Sequence, residues 1–127
     1  MKRLLSLSTA IFIFILSGCS LGSGMPDRTL ENPSWERQFS DSTSLFIGLY
    51  AVDENVVWAA GRGGQVVLTA DGGRSWKSVN VEGAENLQFR DVHAFDAENA
   101  FVLSIGSGEN SRIYRTSDAG DSWTLSF

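Results

Sequence analysis

Apolar residues in this chain fall in short runs separated by polar turns. Val, Ile, Phe, Tyr and Trp fill the runs, and Gly, Asn and Asp fill the gaps, which is the chemistry of strands and tight connections. The pattern predicts two units of four short strands. The first unit has strands at 45–52, 56–60, 65–70 and 76–81, and the second at 89–95, 100–105, 112–117 and 123–127.

The two units share wording. Thr69-Ala70-Asp71-Gly72-Gly73-Arg74-Ser75-Trp76 recurs as Thr116-Ser117-Asp118-Ala119-Gly120-Asp121-Ser122-Trp123, 47 residues on. The stretch from Phe46 to Asp53 matches Phe89 to Asp96 at an offset of 43, and Asn55 to Val57 matches Asn99 to Phe101 at 44. The expected insertions are therefore one residue between Asp53 and Asn55 and three across 61–65, all in hairpin loops. A repeat of this length built from strands points to propeller blades. The expected fold is all-β: two four-stranded antiparallel blades, at about 45–81 and 89–127, plus one extra strand, in a partial propeller. The extra strand is placed at 35–39, because Ser34-Trp35 opens it as Ser75-Trp76 and Ser122-Trp123 open the fourth strands. It would belong to a different blade.

Each part of the repeated motif has a structural role. Gly73 and Gly120 can take the positive φ that a tight hairpin requires. Asp71 and Asp118 can accept hydrogen bonds from backbone N–H groups across the turn. Thr69 and Thr116 end the incoming strand, and Trp76 and Trp123 open the outgoing one with a ring large enough to pack between sheets. An Asp-x-Gly loop is also part of a calcium loop, but the further acidic ligands such a site needs are missing here.

The frame Thr-x-Asp-x-Gly-x-Ser-Trp resembles the Asp-box, or BNR repeat, of sialidases, other glycoside hydrolases and Ycf48-type photosystem II assembly-factor-like propellers. Phe89-Arg90-Asp91-Val92-His93-Ala94-Phe95-Asp96, Leu103-Ser104-Ile105-Gly106 and Ser111-Arg112-Ile113-Tyr114-Arg115-Thr116 are most similar to the bacterial Ycf48 type. The resemblance covers about residues 35–127. It implies a propeller, and a role in assembling membrane-protein complexes. Whole members of the family carry about six or seven blades, so the chain is expected to be the N-terminal piece of a longer propeller. The alternative is self-assembly of several copies into one ring.

The front end carries a separate signal. Met1-Lys2-Arg3 is basic, residues 4–16 are mainly apolar, and Leu16-Ser17-Gly18-Cys19 follows. This is the pattern of a secretory signal, too short for a comfortable membrane span. It resembles the bacterial lipobox, which implies cleavage after residue 18 and lipidation of Cys19, the only cysteine. The expected organisation is a signal peptide at 1–18, a lipidated Cys and flexible tether at 19–34, and the partial propeller at 35–127. With Ser20 after the cysteine, the expected place is the cell envelope, at the outer membrane facing the periplasm in a Gram-negative host.

Without residues 1–18 the chain has Lys+Arg 8 against Asp+Glu 15, a net charge of −7. An acidic surface argues against nucleic acid as a partner. The enzymatic alternative is a glycoside hydrolase or sialidase, which needs two carboxylates facing across a sugar. Asp53, Glu54, Asp96, Glu98 and Glu109 instead sit in turns, where solvated charge is the simpler reading, so any catalytic groups would lie in missing blades. His93 is the only histidine and matches Tyr50, so it reads as a strand position. No metal site and no cofactor are expected. Gly61-Arg62-Gly63-Gly64 lies between strands and reads as a hairpin. The favoured reading is a lipid-anchored module that binds a protein or glycan partner through the variable hairpins, at Arg62, Glu109, Asn110 and Arg112.

Overall fold

The computed structural model describes residues 33–127, and Trp35–Phe127 form one unit. Its backbone is two antiparallel meanders. The first sheet runs β1 (Phe46–Ala51), β2 (Val57–Gly61), β3 (Val66–Thr69) and β4 (Lys77–Ser78), in that spatial order. The second runs β5 (Phe89–Ala94), β6 (Ala100–Ser104), β7 (Ile113–Thr116) and β8 (Thr124–Leu125), also in order. These are two propeller blades. A single 3-10 turn, Gly108–Asn110, interrupts the β6–β7 hairpin.

The fourth strands are shorter than the sequence pattern predicts. After β4, the Val66 N–H is taken by the Asn80 side-chain oxygen at 3.0 Å, and the Val81 N–H reaches back to the Gly64 carbonyl at 3.0 Å. The bonding between β3 and the chain after β4 thus continues through a side chain and a loop carbonyl rather than through regular ladder.

Residues alternate across each strand, so cross-strand pairs fix which side chains share a face. Tyr50 pairs with Trp58 and Trp58 with Leu68, while Ala60 pairs with Val66. That face packs on β5 and on the second sheet, where Phe89, Val92, Ala94, Ala100, Val102 and Tyr114 complete the core. Trp58 is fully buried at its centre, and its indole N–H donates to the Asp96 carbonyl at 3.0 Å. Truncating a buried Trp in such a setting costs about 3–5 kcal/mol.

The register corrects the repeat alignment. Tyr50 pairs with Trp58 and His93 with Phe101, so the offset of 43 persists through the second strand. Val57 pairs with Thr69 and Ala100 with Thr116, which moves the third strand to 47. All four extra residues therefore sit in the β6–β7 hairpin, and none lies between Asp53 and Asn55. The first turns are identical because both are pinned alike: Val52 N–H to Val56 O and Phe95 N–H to Asn99 O, each at 2.9 Å.

Residues 35–39, expected as an extra strand, form none. A strand exists only by pairing, and among the described residues no sheet edge lies beside this segment. Trp35 and Phe39 are accordingly exposed.

Candidate functional site

The two Asp-boxes are the connections from β3 to β4 and from β7 to β8. Thr69 is buried at the end of β3, and its hydroxyl donates to Asp71 Oδ1 at 2.8 Å while accepting the Gly73 N–H at 2.9 Å. Asp71 Oδ1 also accepts the Ser75 N–H at 2.9 Å, and Oδ2 accepts the Ser75 hydroxyl at 2.6 Å. The second box repeats the circuit: Thr116 to Asp118 at 2.7 Å, Gly120 N–H to Thr116 at 2.9 Å, and Ser122 to Asp118 at 3.0 and 2.6 Å. Gly73 and Gly120 have φ of 83° and 78°. Such values suit a residue without a Cβ.

This circuit sets the electrostatics. The Ser75 hydroxyl, then its N–H and the Thr69 hydroxyl, hold Asp71 ionised down to a pKa of about 2. Ser122 and Thr116 do the same for Asp118, also at about 2. A carboxylate whose lone pairs are spent on donors is a poor general acid or base near neutrality.

The first turns of each blade sit at the same end as the boxes and are bonded to them. Gly72 N–H donates to Asn55 O at 2.9 Å, and Ala119 N–H to Glu98 O at 3.1 Å. Asp53 and Asp96, which the sequence suggests are only solvated charge, are working caps. Asp53 Oδ1 accepts the N–H groups of Asn55 and Val56, both at 2.7 Å, and Asp96 Oδ1 those of Glu98 and Asn99 at 2.7 and 2.6 Å. The Asn99 N–H foremost holds the Asp96 carboxyl below its usual range. The signal was the Asp followed closely by Asn or Glu, an Asx-turn spacing.

Arg62, Glu109, Asn110 and Arg112 lie at the opposite end, because successive hairpins of a meander alternate ends. Arg62 is exposed and pairs through its backbone with Gln88, whose carbonyl accepts the Ile105 N–H at 3.3 Å. The two variable hairpins are thereby joined through one residue. In the longer one, the Arg112 guanidinium donates to the Tyr114 hydroxyl at 3.2 Å and lies 3.7 Å from the Glu109 carboxylate. The Tyr114 hydroxyl is the main reason that its pKa is raised further. The Asn110 carbonyl accepts the buried Ser104 hydroxyl at 2.7 Å, and the Asn110 side chain lies over Gly106, where a Cβ would run into it.

Beside this end, the outward face of the second blade carries a groove of about 370 Å³ lined by Asp91, His93, Phe101, Leu103, Ile113 and Phe127. His93 lies in β5 with its ring 4.6 Å from Tyr50 and 5.0 Å from Phe95. Among the described residues, no group of three or more His, Cys, Asp or Glu is placed to hold a metal ion. Cys19, the signal segment and the tether lie outside the described residues.

No family model matches the chain. Over 66 residues it is 35% identical to the photosystem II assembly lipoprotein Ycf48 of Synechococcus sp. (strain CC9605), a stretch covering 52% of this chain and 18% of that protein. The solved structure of YCF48 bound to D1 peptide matches 76% of this chain and 30% of its own, with a TM-score of 0.58 at 22% identity. YCF48 from Cyanidioschyzon merolae matches 73% of this chain and 30% of its own, with a TM-score of 0.56 at 23% identity. The structural likenesses are therefore of fold, and the chain spans less than a third of the length of these relatives. By its repeats, its two meanders and these likenesses, the chain is a Ycf48-like segment of a β-propeller, two blades long.

Proposed function

We propose that the chain acts as a protein-binding or complex-assembly module, tethered to a cell-envelope membrane through a lipid on Cys19. One observation carries the reading: its blades share their fold with a YCF48 structure that holds a D1 peptide. The division of labour between the two ends supports it. The carboxylates of Asp53, Asp71, Asp96 and Asp118 at the Asp-box end are spent on their own turns, whereas the hairpins bearing Arg62 and Arg112 differ in length between the blades and are exposed. Binding sites are commonly built on such variable loops over a rigid scaffold. The guanidinium of Arg112, steadied by Tyr114 and Glu109, suits a carboxylate or carbonyl of a partner chain. The reading requires no cofactor.

A photo-cross-linker placed at Glu109 of the full chain, in its native membranes, tests the reading. The expected result is one membrane protein captured recurrently, with capture lost when Arg62, Asn110 and Arg112 are changed to Ala. Unchanged capture in that variant, or no recurrent partner, would remove it. Cys19→Ser should at the same time release the chain from membranes.

A further inference from the structure

The two Asp-boxes share one hydrogen-bond circuit but differ in the residue after the aspartate, which is Gly72 in the first and Ala119 in the second. Asp71–Gly72 is the only Asp-Gly pair in the chain, and there is no Asn-Gly pair. An Asp-Gly pair is prone to a reaction of its own main chain. Without a Cβ on the following residue, the amide nitrogen reaches the aspartyl side-chain carbon unhindered.

The reaction has two steps. The Gly72 nitrogen attacks Asp71 Cγ in its neutral acid form. An N–Cγ bond forms, and a carboxyl oxygen leaves as water, carrying the acid proton and the amide proton. Water then opens the cyclic imide. Addition at Cγ restores aspartate, whereas addition at the Asp71 main-chain carbonyl carbon leaves the backbone running through the side chain, as isoaspartate. One water leaves and one returns, and nothing is oxidised or reduced.

The closed box opposes every requirement of the first step. Gly72 N–H is donated to the Asn55 carbonyl at 2.9 Å. Gln38 Nε2 donates to the Gly72 carbonyl at 3.2 Å, and a Cβ on Gly73 would run into the same carboxamide. Gly72 is thus held by both its N–H and its carbonyl. The Ser75 hydroxyl, the Ser75 N–H and the Thr69 hydroxyl keep the Asp71 carboxyl ionised, so the reactive acid form is scarce. Gly72 itself is exposed, so the protection comes from bonding and not from burial.

We propose that Asp71–Gly72 is a latent isomerisation site: the closed Asp-box suppresses the reaction, opening of the box releases it, and the isoaspartate formed prevents the box from closing again. Asp118–Ala119 is spared, because the Ala119 Cβ hinders its nitrogen. The product blocks closure for a geometric reason. Isoaspartate adds a methylene to the backbone between Thr69 and Gly73 and moves the free carboxylate onto the α-carbon. It can no longer accept from Ser75 while Thr69 accepts the Gly73 N–H. The first box therefore records its own opening as a covalent mark, of the kind that a carboxyl methyltransferase specific for isoaspartate reads.

The test holds the full chain in detergent at neutral pH, folded or in guanidinium chloride, and measures isoaspartate at each position by electron-transfer fragmentation of its peptides. The expected result is formation at 71 at least tenfold faster in denaturant than in the folded chain, and in denaturant at least tenfold faster at 71 than at 118. Ala119→Gly should bring 118 to within threefold of 71 in denaturant. Ser75→Ala removes one donor from Asp71 and leaves Thr69 in place. It should raise the folded rate at 71 at least threefold, with near-UV circular dichroism showing that the blades remain packed. Chains carrying isoaspartate at 71, separated and returned to native buffer, should melt below unreacted chains. Equal rates in folded and denatured chains, reaction at 118 as fast as at 71, no response to Ser75→Ala, or an unchanged melt would each overturn the proposal.

Discussion

Trp123 donates its indole N–H to the Val79 carbonyl at 2.9 Å, so the last strand of the second blade is tied to the segment that leaves the first. The same ring meets Trp58 edge-on at 6.3 Å between centroids. One residue therefore joins an Asp-box to the shared core. Trp123→Phe keeps most of the packing and orphans the carbonyl, which should cost about 1 kcal/mol. Trp123→Ala removes both and should cost about 3 kcal/mol. Urea unfolding of the two variants, followed by circular dichroism, reads the difference. Equal losses would mean that the ring packing contributes nothing, and an unchanged Trp123→Phe that the hydrogen bond contributes nothing.

Thr69 and Thr116 test the circuit from its buried end. Valine matches threonine in shape but cannot accept the Gly73 or Gly120 N–H. Thr69→Val and Thr116→Val should each destabilise by about 1–3 kcal/mol, the cost of an unsatisfied buried donor. Stability within 0.5 kcal/mol of the parent, on the order of experimental scatter, would show that the hydroxyls are dispensable.

The carboxylates give the fold an acid limit. Asp71 and Asp118 have folded pKa values of about 2, below the ordinary Asp range of about 3.9. A depressed folded pKa contributes stability that is present above the unfolded value and lost as pH falls through the folded one. The urea midpoint should therefore hold above about pH 4 and fall steadily between about pH 4 and 2. Asp71→Asn with Asp118→Asn should lower the midpoint at neutral pH and flatten that fall. A double variant with the parent's acid slope would assign the sensitivity elsewhere.

Ala119 occupies, at φ 57°, the place that Gly72 holds at φ 72° in the first blade. A left-handed conformation burdens a residue with a Cβ. Ala119→Gly should stabilise by about 0.5 kcal/mol, and Gly72→Ala should destabilise by about 1 kcal/mol. Thermal melts of both show whether the two turns respond with opposite sign.

The strands and both Asp-boxes were legible in the sequence because each is a local pattern: alternating or continuous apolar residues bounded by turn formers. The alignment between Asp53 and Asn99 was not, because Asn55 and Asn99 share a name but not a place. The cap oxygens of Asp53 and Asp96 number the turn from the acidic residue, and this puts Val56, not Asn55, opposite Asn99. Residues 35–39 were misread. Ser34-Trp35 suggested a strand there, but whether a strand forms depends on a neighbour that the pattern of one segment cannot contain, and none forms. Gln38 carried no sequence signal at all. Its role is set by the glycine it covers.

The Asp-box draws every partner of its circuit from the seven residues between Thr69 and Ser75, or between Thr116 and Ser122. Loop closure over so short a span is fast and needs nothing from the rest of the chain. Each box can therefore close soon after it leaves the ribosome, while Trp58 must wait for β5 before it has anything to pack against. Successive boxes would fix the hairpins in order of synthesis, and the core would condense one blade behind the growing end.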